Sequence, residues 1–204
     1  MRTLLSLIML LLVSATAHAS VDMGNPNQVI RSVSINTFAR IKADQDRLQR
    51  EPDYIKVVIE EELIPYFDYK YAAYMVIGNY LQKTSTEQRN EFVDVFKTYL
   101  VNAYGHILFE YKQQEIEILD MPDYQDKRIV SISVRIRDAK NQVTQLVFKL
   151  RKNQKTDEWK VFDVIAEGIS MLNTKQSELY ELIHKKGIDH VIKLLAEKNR
   201  EFSS

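Results

Sequence analysis

From Pro26 to Arg50 the apolar residues Ile30, Val33, Phe38, Ile41 and Leu48 recur at the spacing of one helix face. Asn25 stands where an N-cap belongs and Pro26 in the first turn, so the spacing predicts one long amphipathic helix. A second helix is expected from near Pro52, with Ile55, Val58, Ile59 and Leu63 on one side, until Pro65 disfavours continuing it. The stretch YFDYKYAAYMVIG reads as a short, almost wholly apolar helix closed by Gly78. Ser85 and Gln88 have capping-box spacing, and the helix they open carries Phe92, Val95, Phe96, Tyr99, Leu100 and Ala103 in a broad stripe to about Tyr111.

The period then shortens to two. In IVSISVRIR, Val130, Ile132, Val134 and Ile136 alternate with Ser131, Ser133, Arg135 and Arg137, the signature of a half-solvated antiparallel strand. EIEIL before it, QLVFKL after the polar Asp138 to Asn141 turn, and WKVFDVI extend the pattern into a four-stranded meander. After Gly168 the helical period returns in SELYELIHKK and IDHVIKLLAEKNREF, divided at Gly187. Helices, then strands, then helices predict an α+β fold with the apolar stripes gathered on one face of an antiparallel sheet.

The first residues change the picture of where this fold works. Leu4 to Val13 is apolar except for Ser6, follows Arg2, and leads to Ala17-His18-Ala19, a small-x-small cleavage pattern. Ten apolar residues are too few to span a bilayer, so residues 1–19 are expected to be a cleaved export signal and residues 20–204 a single domain. The chain contains no cysteine, which excludes disulfides and a lipidated N-terminal cysteine. It has 28 Lys and Arg against 28 Asp and Glu. Such a balance gives no electrostatic case for nucleic acid or for strong attraction to anionic membranes.

Few residues offer chemistry. His184 and His190 lack the i, i+4 spacing of a metal pair, and no cysteine joins them or His106. Gly168-Ile169-Ser170 matches only part of a nucleophile elbow, because Leu172 occupies the second glycine position; Ser170 is expected to cap or turn the chain. IEEEL, from Ile59 to Leu63, spreads its carboxylates by about 100° per residue and reads as a solvated helix face. Asp163 interrupts an apolar strand: it either faces outward or bonds to a cation or backbone N–H, or acts as a general base of raised pKa. The 11 Tyr, 8 Phe and one Trp fit either a well-filled core or a cavity for an apolar ligand.

NPNQVI, PDYIKVVIEEELIPYFDYKYAA, TSTEQRNEF, TYLVNAYG, EWKVFDVIAEGISMLNTKQSE and KGID, taken in this order and spacing, resemble the MlaC-type periplasmic phospholipid-binding proteins, the toluene-tolerance family. The likeness covers most of residues 20–204, and this chain departs from it at strand surfaces, the Asp138 to Asn141 turn and the tail after Phe202. The resemblance implies a cone similar to nuclear transport factor 2, enclosing the acyl chains of a glycerophospholipid as cargo, with no cofactor and no catalytic residue. It further implies a periplasmic shuttle, working as a monomer between an outer-membrane lipoprotein–porin complex and an inner-membrane ABC transporter with an MCE-domain subunit. Its outcome would be outer-membrane lipid asymmetry.

The inward faces nearest Gly168 nominate Val95, Phe96, Tyr99, Ile132, Val134, Leu146, Phe148, Val164 and Met171 as lipid-lining residues. Two other classes compete: a small-molecule enzyme on the same cone with Asp163 as base, and an interaction or chaperone-like module with a solid core.

Overall fold

A computed structural model describes residues 21–109, 115–119, 123–138 and 140–202; the side chain of His106, the expected signal and the end of the helix read to Tyr111 lie outside them. Seven α-helices occur among the described residues: α1 (Pro26–Ala43), α2 (Gln45–Arg50), α3 (Tyr54–Glu62), α4 (Tyr69–Ile77), α5 (Thr86–Phe109), α6 (Met171–Lys186) and α7 (Ile188–Glu201). Asn25 caps α1 by accepting from the amides of Asn27 and Gln28. The helix expected to run unbroken to Arg50 divides at Asp44. Asp44 binds Arg40 and the Tyr54 hydroxyl through its side chain, and the break lets Leu48 turn into the same cluster as Ile41 and Ile55. Local side-chain hydrogen bonding of this kind competes with helix continuation.

α3 stops before Pro65, which sits in a 3-10 turn over Ile64–Tyr66. α4 begins later than its tyrosines suggested, because Asp68 is its N-cap and Phe67 is extended against Val161. The capping box of α5 is complete: the Gln88 amide donates to Ser85 Oγ at 3.2 Å and the Ser85 amide to Gln88 Oε1 at 3.0 Å.

Among the described residues the sheet has five strands, not four, in the order β1 (Glu115–Ile118), β2 (Ile129–Arg137), β3 (Val143–Lys152), β4 (Trp159–Ala166) and β5 (Ile169–Ser170), all antiparallel. The fifth was hidden in the corner at Gly168. Glu167 and Gly168 both take positive φ, 50° and 82°, which makes a two-residue hairpin turn and folds Ile169-Ser170 back onto β4. Register places Val130 opposite Leu150, Ile132 opposite Phe148 and Val134 opposite Leu146, with Phe148 in turn opposite Val164. These residues share one sheet face. On β4 the alternation slips: Leu150 pairs with Val161 and Lys149 with Asp163, leaving Phe162 as an extra residue in a bulge.

Three buried clusters result among the described residues. The first joins α4–α7 through Phe92, Phe96, Leu179 and Val191, and takes Phe162 from the bulge. The second packs Val29 and Ile30 of α1 on the sheet residues Val130, Ile132, Val134, Leu150, Trp159 and Val161. The third joins Ile41, Leu48, Ile55, Val58, Ile59 and Val101 of α1, α2, α3 and α5. They remain separate, with half-buried aromatics between them: Phe67 packs on the first and second, and Tyr69 and Tyr104 on the first and third.

Candidate functional site

The corner after β4 is a helix cap. Asp163 is 4% exposed, and its two oxygens are both engaged. Oδ2 accepts from Ser170 Oγ at 2.8 Å and Oδ1 from the Leu172 amide at 3.0 Å. Ser170 Oγ in turn accepts from the Asn173 amide at 3.0 Å, so a carboxylate and a hydroxyl together satisfy two orphan donors at the start of α6. Negative charge at a helix N-terminus is also favoured by the helix dipole. The carboxylate that looked available for proton abstraction is tied into this cap, and Ser170 caps as its sequence position suggested.

Other polar candidates are similarly absorbed. Glu60 pairs with Lys97 at 3.7 Å, and Glu61 and Glu62 with Arg40 at 3.3 and 3.7 Å, so the acidic run serves helix-to-helix ion pairs in different directions. His184 Nδ1 lies 2.6 Å from the Tyr80 hydroxyl, while His190 is exposed. No group of three or more His, Cys, Asp or Glu poised to hold a metal occurs among the described residues. A groove of about 470 Å³ crosses the β1–β2 edge, lined by Glu115, Ile116, Glu117, Arg135 and Arg137. Its two acids and two bases, with Arg135 paired to Glu117 at 2.9 Å, give it no preference for either sign of charge.

The apolar sheet face behaves differently. Its deep residues Val130, Ile132 and Leu150 are buried, whereas Ile116, Ile118, Ile136, Phe148 and Val164 stay only half-buried beside them. Half-buried apolar surface continuous with a core is a place that an apolar ligand can cover.

Of the nine residues nominated from sequence, Ile132, Val134, Phe148 and Val164 come together in this cluster. Leu146, opposite Val134 and half-buried, shares their face. Val95, Phe96 and Tyr99 belong to the other side, in the α4–α7 cluster, where Phe96 stacks between Phe92 and Tyr99. Met171 is 38% exposed at the first turn of α6.

Sequence reasoning missed Phe67, Tyr69 and Tyr104, which stand between clusters. Tyr104 is half-buried, yet burial pushes its phenol up to about 12, with further contributions from the charge of Asp163 and from Tyr99. The ring packs against the first and third clusters at once. Only the three-dimensional meeting of α5 with α3 and α4 reveals this; along the chain, Tyr104 is one more aromatic at helical spacing.

Comparison with known proteins fits this arrangement. The MlaC protein family model matches residues 31–197. The Haemophilus influenzae intermembrane phospholipid transport system binding protein MlaC is 32% identical over 182 residues, spanning 89% of this chain and 84% of that protein. The toluene tolerance protein ttg2D of Pseudomonas putida is 23% identical over 182 residues, 89% of this chain and 83% of its own length. Among solved structures, a phospholipid-binding protein of Ralstonia solanacearum, determined in complex with a phospholipid, superposes with a TM-score of 0.79 at 19% identity. That match covers 88% of this chain and 99% of the other, and it shows the shared fold. With a matching model over most of its length and a relative of this identity, the chain belongs to the MlaC family.

Proposed function

We propose that this protein is a periplasmic phospholipid carrier, exported by its N-terminal signal, that moves glycerophospholipid between an outer-membrane complex and an inner-membrane transporter. The observation that carries the reading is the half-buried apolar sheet face beside the second cluster, which Phe67 joins to the first. Acyl chains would occupy that junction, lined by Phe67, Tyr69, Val134, Leu146, Phe148 and Val164, with helices and sheet wrapping it as a cone. Membership of the MlaC family and the phospholipid in the Ralstonia solanacearum complex support the cargo class.

Physical chemistry sets the carrier's requirements. Each buried CH₂ contributes about 0.8 kcal/mol, so a two-chain lipid hardly leaves a bilayer for water. A carrier must therefore offer a dry site comparable to the bilayer interior. It must not bind much more strongly, or the lipid would never be released. No described helix is long and apolar enough to cross a membrane.

The committed Asp163 oxygens argue against the general-base alternative. The test is transfer of a labelled phospholipid between donor and acceptor vesicles. Wild-type protein is expected to raise the rate in proportion to its concentration, and Phe148→Glu, folded by circular dichroism, to lower it at least tenfold. Equal transfer by the two proteins would remove the sheet face from the proposal, and no transfer by either would remove the carrier.

A further inference from the structure

We infer that the outer edge of β1 is a docking site for an extended segment of a partner protein that alternates apolar and basic residues, added antiparallel as a further strand of the sheet. Such a site goes beyond the carrier reading and does not rest on it. β1 ends the strand order, so only one of its sides is paired, with β2. The Leu119 amide donates to the Ser133 carbonyl at 2.9 Å, which sets the alternation of this antiparallel ladder. Glu115 and Glu117 therefore turn their backbone groups toward β2, and Ile116 and Ile118 turn theirs outward. Among the described residues nothing pairs with these outward groups. Unpaired edge groups of this kind are a template for a further strand.

Side chains decide which strand fits. On its inner side β1 sets Ile118, Glu117, Ile116 and Glu115 opposite Val134, Arg135, Ile136 and Arg137, apolar against apolar and acid against base. Arg135 reaches Glu117 at 2.9 Å, whereas Glu115 makes no ion pair among the described residues. The outer side offers the same two carboxylates and the same two isoleucines. Taken whole, the groove of about 470 Å³ over this edge balances its charges, but it does so in order: acids on β1, bases one strand further in. A strand laid outside β1 meets the acids first, with the arginines two strand spacings away, about 10 Å.

In that register Glu115 and Glu117 fall at the non-hydrogen-bonded positions, where opposing side chains come closest. Basic residues there make attractive cross-strand pairs. Apolar residues opposite Ile116 and Ile118 lengthen the apolar sheet face to which both isoleucines belong. A second copy is disfavoured, because β1 laid antiparallel on β1 sets glutamate against glutamate.

The experiment measures the binding of short fluorescent peptides to the purified protein by anisotropy. One peptide alternates valine and arginine, a second has glutamate in place of arginine, and a third shuffles the first so that its period of two is lost. The protein is expected to bind the first peptide and neither of the others. Glu115→Lys combined with Glu117→Lys should weaken the first about tenfold and take up the glutamate peptide instead. N-methylation of the valine amides, which face β1, should abolish binding, while N-methylation of the arginine amides, which face away, should leave it. Equal binding of the ordered and shuffled peptides, or of the two methylated ones, would reduce the contact to charge attraction and overturn the inference, as would no binding of the first peptide. Dimerisation of the free protein through β1 would give the edge to a second copy and overturn it as well. The peptide comparisons use the wild-type chain, so they decide the matter even where the double variant fails to fold.

Discussion

Asp163 shows what one side chain contributes. An ionised carboxylate inside an apolar strand is destabilising unless it is hydrogen-bonded, and here it accepts from Ser170 Oγ and the Leu172 amide at the start of α6. Asp163→Asn keeps the shape and removes the charge from both bonds. It is expected to lower stability by about 1–3 kcal/mol, read from the urea unfolding midpoint. It should leave lipid loading of the folded fraction unchanged, and an unaltered midpoint would show that the cap is not stabilising. The anomaly of Asp163 was visible in WKVFDVI, but its partners were not, since Ser170 and Leu172 reach it only after the turn at Glu167 and Gly168. Tyr104 was less legible still. It packs on two clusters at once, and no spacing rule reports that.

At the level of elements, Asp68 joins helix to sheet. Its side chain caps α4 at the Tyr71 amide and pairs with Arg151 of β3, and its own amide donates to the Val161 carbonyl at 2.7 Å. These bonds hold Phe67 at the edge of β4 and between two clusters. Asp68→Ala removes an N-cap and a partly buried ion pair, with an expected loss of about 2–4 kcal/mol. A double-mutant cycle with Arg151→Met should assign about 1 kcal/mol or more to the pair, and additive effects in the cycle would contradict the link. Period-two alternation placed β1 to β4 within a residue or two, because each has one apolar face. It could not show the bulge at Phe162, where one apolar residue follows another, or the two-residue β5, which is too short to carry a period. The division of the first helix at Asp44 was equally hidden, since apolar spacing is compatible with a straight helix until Leu48 has a cluster to join.

Across the whole molecule, the buried hydrophobic residues described fall into three clusters bridged by half-buried aromatics, and the proposed function rests on that arrangement. A protein of 204 residues with 45% hydrophobic composition has ample material for one merged core. Instead, half-buried Phe67, Tyr69 and Tyr104 stand where the clusters meet, and half-buried Phe148 and Val164 border the second. Acyl chains placed there would complete the packing, and their removal should lower the melting temperature because ligand bound only to the folded state stabilises it. The order of helices and strands could be read from residue periodicity; the separation of their cores could not, because an aromatic that lines a cavity and one that fills a core have the same spacing. The most direct test is the intact mass of the protein purified from its native compartment without detergent. A mass exceeding that of the processed chain by one or more glycerophospholipids, lost on organic extraction and absent in Phe148→Glu, is the expected result. A folded protein that carries only the mass of its own chain, and gains none on incubation with phospholipid vesicles, would contradict the account.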